Sequence, residues 1–230
     1  EPPLRLTLDT AALVHNWRAL DRLSGAARAG GSRVAAWAEL HDGLLEAREL
    51  SAAPAGARRD DVRLTRRDAQ ALVPVVTGRQ PLYVHVERAA DIRMVLGLKK
   101  EFPLVRLVVV GATEGWMVAG ELARAGVPVL ATPMNDLPAR FEQLGATQSN
   151  VGRMKASGVK VSLGAFFDQP RYAPQYAGNM VALSKVPGAS GLTWNQAFAS
   201  ISSGPAEAMG LGDKIGSLRP GRMADVVIWD

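Results

Sequence analysis

Four short apolar runs in the middle of the chain limit what it can fold into. They occupy residues 82–86, 105–110, 127–131 and 159–163, and stretches with helical spacing separate them. The apolar residues are nearly continuous rather than alternating with polar ones, which is typical of strands buried on both faces. Parallel strands joined by helices provide that environment. The pattern therefore predicts an α/β fold with a parallel sheet, in the form of either a doubly wound sheet or an eight-stranded barrel.

Composition excludes several classes of protein. Of the 230 residues, 47% are hydrophobic and 21% charged, and every apolar run is far shorter than the roughly 20 residues that span a bilayer. We therefore expect no contact with a membrane. The formal net charge is +5, but aspartates interrupt the arginines of residues 58–68. Such a mixed surface argues against nucleic acid as a partner. The chain has no cysteine, which excludes disulfides and thiolate metal sites and leaves the compartment open.

The pattern changes along the chain and predicts three parts. Residues 1–69 are expected to form a mainly helical segment, and residues 70–210 contain the strands and helices of the parallel sheet. Residues 211–230 are rich in turn-forming residues and end in an apolar strand at 226–229. Within them, Pro220 and Gly221 predict a turn, because proline fixes its own φ and glycine accepts the positive φ that follows.

Two series of motifs stand in the middle and at the end of the chain. Residues 78–92 are GRQPLYVHVERAADI, residues 203–211 are SGPAEAMGL, and residues 215–230 are IGSLRPGRMADVVIWD. Over residues 31–230 the chain resembles the carboxyl-terminal half of the amidohydrolase superfamily, in the branch similar to imidazolonepropionase. The resemblance implies a partial (β/α)8 barrel of the TIM type, with the last strand in a small β-sandwich. It also implies metal-dependent hydrolysis of amide or cyclic amide C–N bonds in a small-molecule substrate, at the carboxyl ends of the strands.

The start of the chain resembles a different family. Residues 4–28, with LRLTLDTAALVHNWRAL at 4–20, are similar to the amino terminus of alanine racemase. That enzyme continues into a lysine that binds pyridoxal phosphate, whereas the first lysine here is Lys99. We therefore expect no pyridoxal phosphate.

The resemblance to amidohydrolases also implies site residues. That family's metal site takes a His-x-His pair from the first strand, histidines from two later strands and an aspartate from the last. His85 ends an apolar run at a position that the family uses for a ligand, and Asp168 is the candidate for the proton-handling aspartate. Gly111 stands where the next histidine is expected. The alternatives are a buried histidine satisfied by backbone or by Glu87, and a loop aspartate before Pro170.

The number of ligands disagrees with the family's activity. The chain has three histidines and no two of them are two residues apart, whereas a catalytic zinc site takes about three protein ligands. We predict weak binding of zinc or another divalent metal by His85 and Asp168, which should converge at one edge of the sheet, and little or no activity. Glu114, Trp116 and Phe167 are predicted to line the substrate pocket, with core packing or a helix start as the alternative.

Two further hypotheses follow from the small number of metal ligands and from the small number of strands. The chain could be a non-catalytic relic of a barrel that serves as a binding or scaffold protein. The convincing strands also number fewer than the eight that close a barrel. We therefore expect the chain's own first part, self-association or an upstream segment to cover the open edges of the sheet.

Overall fold

The computed structural model describes residues 4–7, 32–53, 62–164, 170–223 and 225–226. Within them, five strands form one sheet in the order β1-β2-β3-β4-β5. Neighbouring strands pair in parallel in β1/β2, β3/β4 and β4/β5, with Leu6 opposite Val84, Val110 opposite Leu130 and Leu130 opposite Ser162. The strands are β1 (Leu4–Thr7), β2 (Leu82–Val86), β3 (Leu107–Gly111), β4 (Val129–Ala131) and β5 (Val161–Leu163). The predicted α/β class with a parallel sheet is confirmed.

Helices follow the strands along the chain, as in repeated βα units. The helices in the described part are α1 (Arg33–Ala52), α2 (Arg66–Val76), α3 (Ala89–Glu101), α4 (Ala119–Ala125), α5 (Asn150–Ala156), α6 (Ala173–Leu183), α7 (Trp194–Ser200) and α8 (Ser203–Ala208). Short 3-10 turns lie at Gly115–Val118, Phe141–Gln143 and Pro170–Tyr172. No helix among the described residues combines the length and the apolar character needed to cross a membrane.

Local sequence explains where several helices begin and end. Thr65 caps α2, since its Oγ1 accepts a hydrogen bond from the Asp68 backbone N–H at 3.2 Å. Thr193 and Gln196 form a reciprocal capping box at the start of α7. Helix α4 ends at Gly126, whose φ of 62° is readily adopted only by glycine.

The chain divides into two compact units, of which the first comprises Glu1–His85 and Gly97–Leu107. Its core includes Leu44 and Ala47 of α1 and Leu72 and Val75 of α2, all buried. The carboxylate of Glu46, also buried, accepts backbone hydrogen bonds from residues 63 and 64 at 2.7 and 3.0 Å. This bond pair fixes the chain as it enters α2. The predicted segment 1–69 includes α1, and its residues 1–3, 8–31 and 54–61 lie outside the described part.

The second unit comprises Val86–Leu96 and Val108–Asp230. Its fully buried side chains include Leu122 of α4, Met154 of α5, Leu163 of β5 and Met180 of α6. Residues 211–223 form turns rather than a strand, and residues 227–230 lie outside the described part. The β-sandwich at the end of the chain therefore stays a prediction, as do the bounds of the three predicted parts.

Candidate functional site at the strand ends

Three polar side chains of the second unit meet just beyond the carboxyl ends of β2, β3 and β4. Glu87 follows β2 and Thr113 follows β3, and their exposed fractions are only 2% and 1%. Thr113 donates two hydrogen bonds to Glu87 Oε2, from its backbone N–H at 2.9 Å and from its hydroxyl at 2.6 Å. Asn135, which follows β4, donates from Nδ2 to Thr113 Oγ1 at 3.4 Å. We call Glu87, Thr113 and Asn135 the strand-end network.

The backbone turns sharply where the network forms. Gly111 and Ala112 have φ values of 88° and 52°. Both lie in the left-handed region, which residues with a Cβ atom rarely adopt. The Ala112 N–H donates to the Val86 carbonyl at 2.7 Å, and the Glu114 N–H donates to the Glu87 carbonyl at 2.9 Å. This turn places Thr113 against Glu87. Left-handed backbone at Ala112 has a conformational cost that its surroundings must offset.

The predicted pocket residues Glu114 and Trp116 both bind the backbone of Gly145. Glu114 Oε1 accepts from the Gly145 N–H at 3.0 Å, and Glu114 Oε2 accepts from the Ala89 N–H at 2.9 Å. Trp116 Nε1 donates to the Gly145 carbonyl at 2.9 Å, and its ring lies 4.7 Å from the Arg153 guanidinium carbon. These contacts tie the loop after β3 to the start of α3 and to the loop before α5. The role of both residues in a substrate pocket stays a prediction.

Of the two predicted metal ligands, only His85 lies in the described part. It is the penultimate residue of β2, is 1% exposed, and lies opposite Thr7 in the register of β1 and β2. Asp168 and the predicted pocket residue Phe167 lie outside the described residues. The predicted convergence of His85 and Asp168 therefore stays a prediction.

In addition to the residues predicted from the sequence, the second unit contains a mainly apolar cavity of about 620 Å³. Its described lining consists of Ala173, Pro174, Phe198, Ala199, Ile201, Ser202, Ser203, Gly216, Ser217, Leu218, Met223, Asp225 and Val226. The exposed ring of Trp194 stacks on Phe198, with the centroids 5.4 Å apart and the planes 7° apart. Sequence analysis missed this cavity. A usable signal was present, because aromatic residues four apart on a helix share a face.

The described residues do not fit a catalytic metal site. No group of three or more His, Asp or Glu side chains in the described ranges is placed to hold a metal ion. The carboxylates of Glu87 and Glu114 accept hydrogen bonds from N–H and O–H groups, as given above. A catalytic zinc site has about three protein ligands and an open position. The strand ends therefore lack such a set within the described residues.

One buried ionisable group in the first unit has a shifted pKa. Burial raises the pKa of the Tyr83 phenol above its usual value of 10.0, and the positive charge of Arg106 opposes that shift. Tyr83 lies on β2 and is 7% exposed. The phenol is therefore neutral throughout the physiological pH range.

Comparison with known proteins identifies the family. The sequence model of the amidohydrolase family matches residues 91–230, which is more than half of the chain. The chain belongs to the amidohydrolase family. No curated protein sequence matches it.

Solved amidohydrolase structures show the fold. An amidohydrolase from Thermotoga maritima MSB8 is 21% identical with a TM-score of 0.70, and the match covers 85% of this chain and 50% of that one. The likeness shows the fold alone, a partial barrel of the TIM type, and the chain spans about half the length of that relative.

Two deaminases also resemble part of the chain. An adenosine deaminase from Xanthomonas campestris with bound zinc is 20% identical (TM-score 0.45), over 69% of this chain and 38% of that one. Guanine deaminase from E. coli is 19% identical (TM-score 0.42), over 68% and 38%. The imidazolonepropionase-like branch and the likeness to alanine racemase stay predictions.

Proposed function

We propose that this chain is the carboxyl-terminal part of a hydrolase that cleaves non-peptide C–N bonds in small molecules. Membership of the amidohydrolase family over residues 91–230 carries this proposal. The parallel sheet supports an active site at the carboxyl ends of the strands, because barrel enzymes have their active sites there. The motifs at 78–92 and 203–230 support the imidazolonepropionase-like branch, and with it an amide or cyclic amide as the bond that is cleaved.

We further propose that the metal site is depleted within these 230 residues. Across the entire sequence there are three histidines, and no two are separated by one residue. A divalent ion would supply an activated water and polarise the substrate carbonyl. His85 and Asp168 are the proposed ligands, with Asp168 also handling protons, and two ligands are fewer than a catalytic zinc needs. On its own the chain should bind metal weakly and turn over substrate slowly or not at all.

Metal analysis of the purified chain tests this proposal. After expression with excess zinc and gel filtration, mass spectrometry of the metals should find well under one equivalent per chain. His85→Ala should lower the residual metal, whereas the control His41→Ala should leave it unchanged, because the His41 ring is already bonded to Glu101 at 2.7 Å. One tightly held equivalent together with hydrolysis of amide substrates would show that the site is complete.

The pocket residues can be tested separately from the metal. We propose that Glu114, Trp116 and Phe167 border the substrate, and the support is the position of the first two directly after β3. Pyridoxal phosphate is not expected, so the purified chain should show no absorbance of a Schiff base. If a complete, active form is found, Phe167→Ala should raise KM with little change in the melting temperature.

The cavity favours a second candidate function, a non-catalytic binding protein. Its walls are mainly apolar, and its volume of about 620 Å³ lies within the about 300–1,000 Å³ common for small-molecule sites. Ligand-detected NMR with a panel of apolar, ring-bearing compounds tests this function. Binding that disappears in Ile201→Trp, without any hydrolysis, would favour the binding protein over the enzyme. Lack of binding across the panel would leave the hydrolase as the better proposal.

We also propose that an upstream segment or a second copy of the chain completes the barrel. The support is that the match to the Thermotoga enzyme covers 50% of its length. Light scattering after gel filtration should then show a dimer or larger species for the isolated chain. A monomer with a cooperative thermal transition would contradict this proposal.

A further inference from the structure

We infer that Glu87 fastens the ends of β2 and β3 together through hydrogen bonds, and that this edge of the sheet is thereby independent of a metal ion for its stability. The inference concerns the edge at which the proposed function places its site. It is tested by a different property, thermal stability, so the two can fail separately.

The first support is the burial of the Glu87 carboxylate. A carboxylate taken out of water is strongly unfavourable unless donors compensate its charge. Glu87 is only 2% exposed. Its Oε2 atom accepts two hydrogen bonds from Thr113, one from the backbone N–H at 2.9 Å and one from the hydroxyl at 2.6 Å. Hydrogen bonds to an ionised acceptor are short and roughly twice as strong as neutral ones. The carboxylate is therefore stabilised by neighbouring groups of the chain itself.

The second support is that these bonds extend the pairing of the two strands. Strand β2 ends at Val86 and β3 ends at Gly111, but the backbone bonds from Ala112 to Val86 and from Glu114 to Glu87 lie beyond both ends. The side-chain bonds between Glu87 and Thr113 lie between those two backbone bonds along the chain. The pairing thus continues past the strands, in a region where the left-handed φ of 52° at Ala112 would otherwise weaken it.

The third support is a second brace on the same loop. Asn150, at the start of α5 and 5% exposed, donates from Nδ2 to the Ala112 carbonyl at 2.9 Å. Its Oδ1 accepts from the Trp116 backbone N–H at 3.0 Å. Together with Glu114, which binds Ala89 and Gly145, these bonds hold the loop after β3 on several sides.

This arrangement is opposite to that of a metal centre. Ligand oxygens converge on a cation, whose charge organises the site and contributes to folding. At these strand ends, Oε2 of Glu87 and both carboxylate oxygens of Glu114 bond to N–H and O–H donors instead. These hydrogen bonds within the chain therefore stabilise the strand ends, as a bound ion does in a fold that depends on a metal.

Thermal melts of the full chain with zinc and with a chelator test the inference. Since only a ligand that binds the folded state raises the melting temperature, EDTA and added zinc should each shift it by less than about 1 °C. Glu87→Gln, which removes the charge and one acceptor site, should lower it by about 5 °C. A drop of several degrees on chelation would overturn the inference, and so would an unchanged melt of Glu87→Gln.

Variants at Thr113 supply the matched controls. Thr113→Val removes the hydroxyl and should lower the melting temperature nearly as much as Glu87→Gln, while Thr113→Ser keeps both donors and should lower it far less. The double variant Glu87→Gln/Thr113→Val should lose much less than the sum of the two single losses, because both act on one interaction. Additive losses would overturn the inference. Glu121→Gln, at a partly exposed ion pair with Arg93, should have little effect.

The outcomes also separate this inference from the proposed function. One equivalent of zinc in a chain whose melt ignores EDTA would contradict the depleted site and leave the inference intact. A metal-poor chain whose melt depends on added zinc would contradict the inference and leave the depleted site intact.

Discussion

The carboxylates of Glu87 and Glu101 each have a short hydrogen bond to a neighbouring segment, and they differ mainly in burial. Glu87 in the second unit is 2% exposed and bonds to Thr113. Glu101, at the end of α3 in the first unit, has a side chain 40% exposed and lies 2.7 Å from His41 Nε2. Water solvates and screens the exposed pair, whereas the buried carboxylate depends on its protein donors. The comparison teaches that similar distances carry different free energies according to burial.

The largest expected effect comes from removing the brace beside the buried carboxylate. Asn150→Ala leaves the Ala112 carbonyl and the Trp116 N–H without their side-chain partner, in a site that is 5% exposed at Asn150. The free energy of unfolding should fall by about 2–4 kcal/mol. Urea denaturation measures it. A loss below about 0.5 kcal/mol would mean that burial does not govern these bonds.

A smaller effect is expected at Glu46, a buried carboxylate of the first unit. Glu46→Gln keeps the shape but loses the charge, and one of the two backbone donors at residues 63 and 64 no longer meets an ideal acceptor. Stability should fall by about 1–3 kcal/mol. Urea denaturation of Glu46→Gln beside Glu49→Gln, an exposed position on the same helix, measures the difference. Equal losses in the two variants would contradict the role of burial.

The pH dependence of stability that Tyr83 causes extends the comparison of buried and exposed carboxylates to a buried group that is neutral. Burial holds its pKa above 10.0 in the folded chain, so the unfolded chain loses this proton first as the pH rises. The contribution of Tyr83 to stability is therefore complete below about pH 10 and is lost above it. Melting temperatures measured between about pH 8 and pH 11 should fall less steeply in Tyr83→Phe than in the parent chain. Parallel curves would refute this assignment.

The smallest effect is expected at the exposed pair. Glu101→Gln should change the free energy of unfolding by less than about 1 kcal/mol, and the change should shrink further at high salt. Arg48 is bound to this end of α3 independently, through the Glu101 carbonyl at 3.2 Å and the Phe102 ring at 4.8 Å. Denaturation in low and high salt checks the effect, and a loss as large as that of Asn150→Ala would contradict it.

The strands could be predicted from the sequence because their apolar runs carry the signal directly. Residues 82–86 form a strand as predicted, while β3, β4 and β5 each begin two residues later than their apolar runs. Val105, Val127 and Val159 are buried but precede the pairing in each case. Apolar character reports burial, and the chain enters the core before its backbone joins the sheet.

Helix α6 and the strand-end network were beyond the sequence analysis for different reasons. Pro174 and Gly178 obscured α6, although proline is compatible with the first turn of a helix. The bond between Glu87 and Thr113 joins residues far apart in the chain, and it depends on the left-handed turn at Gly111 and Ala112. Strand register and backbone turns of this kind are tertiary properties that no local pattern reports. The prediction for Asp168 remains open to the tests given above.

The positive φ of Gly111 has a consequence for any attempt to place a metal-binding side chain at this position. Position 111 is where the family's next histidine is expected, yet its φ is 88°, and any L-residue with a side chain would carry a penalty of about 1–2 kcal/mol in a left-handed conformation. A single Gly111→His exchange would therefore have to rebuild the local backbone before it could offer an imidazole. A histidine at this position would thus have to come together with compensating changes in the turn around Ala112, whose own φ is 52°.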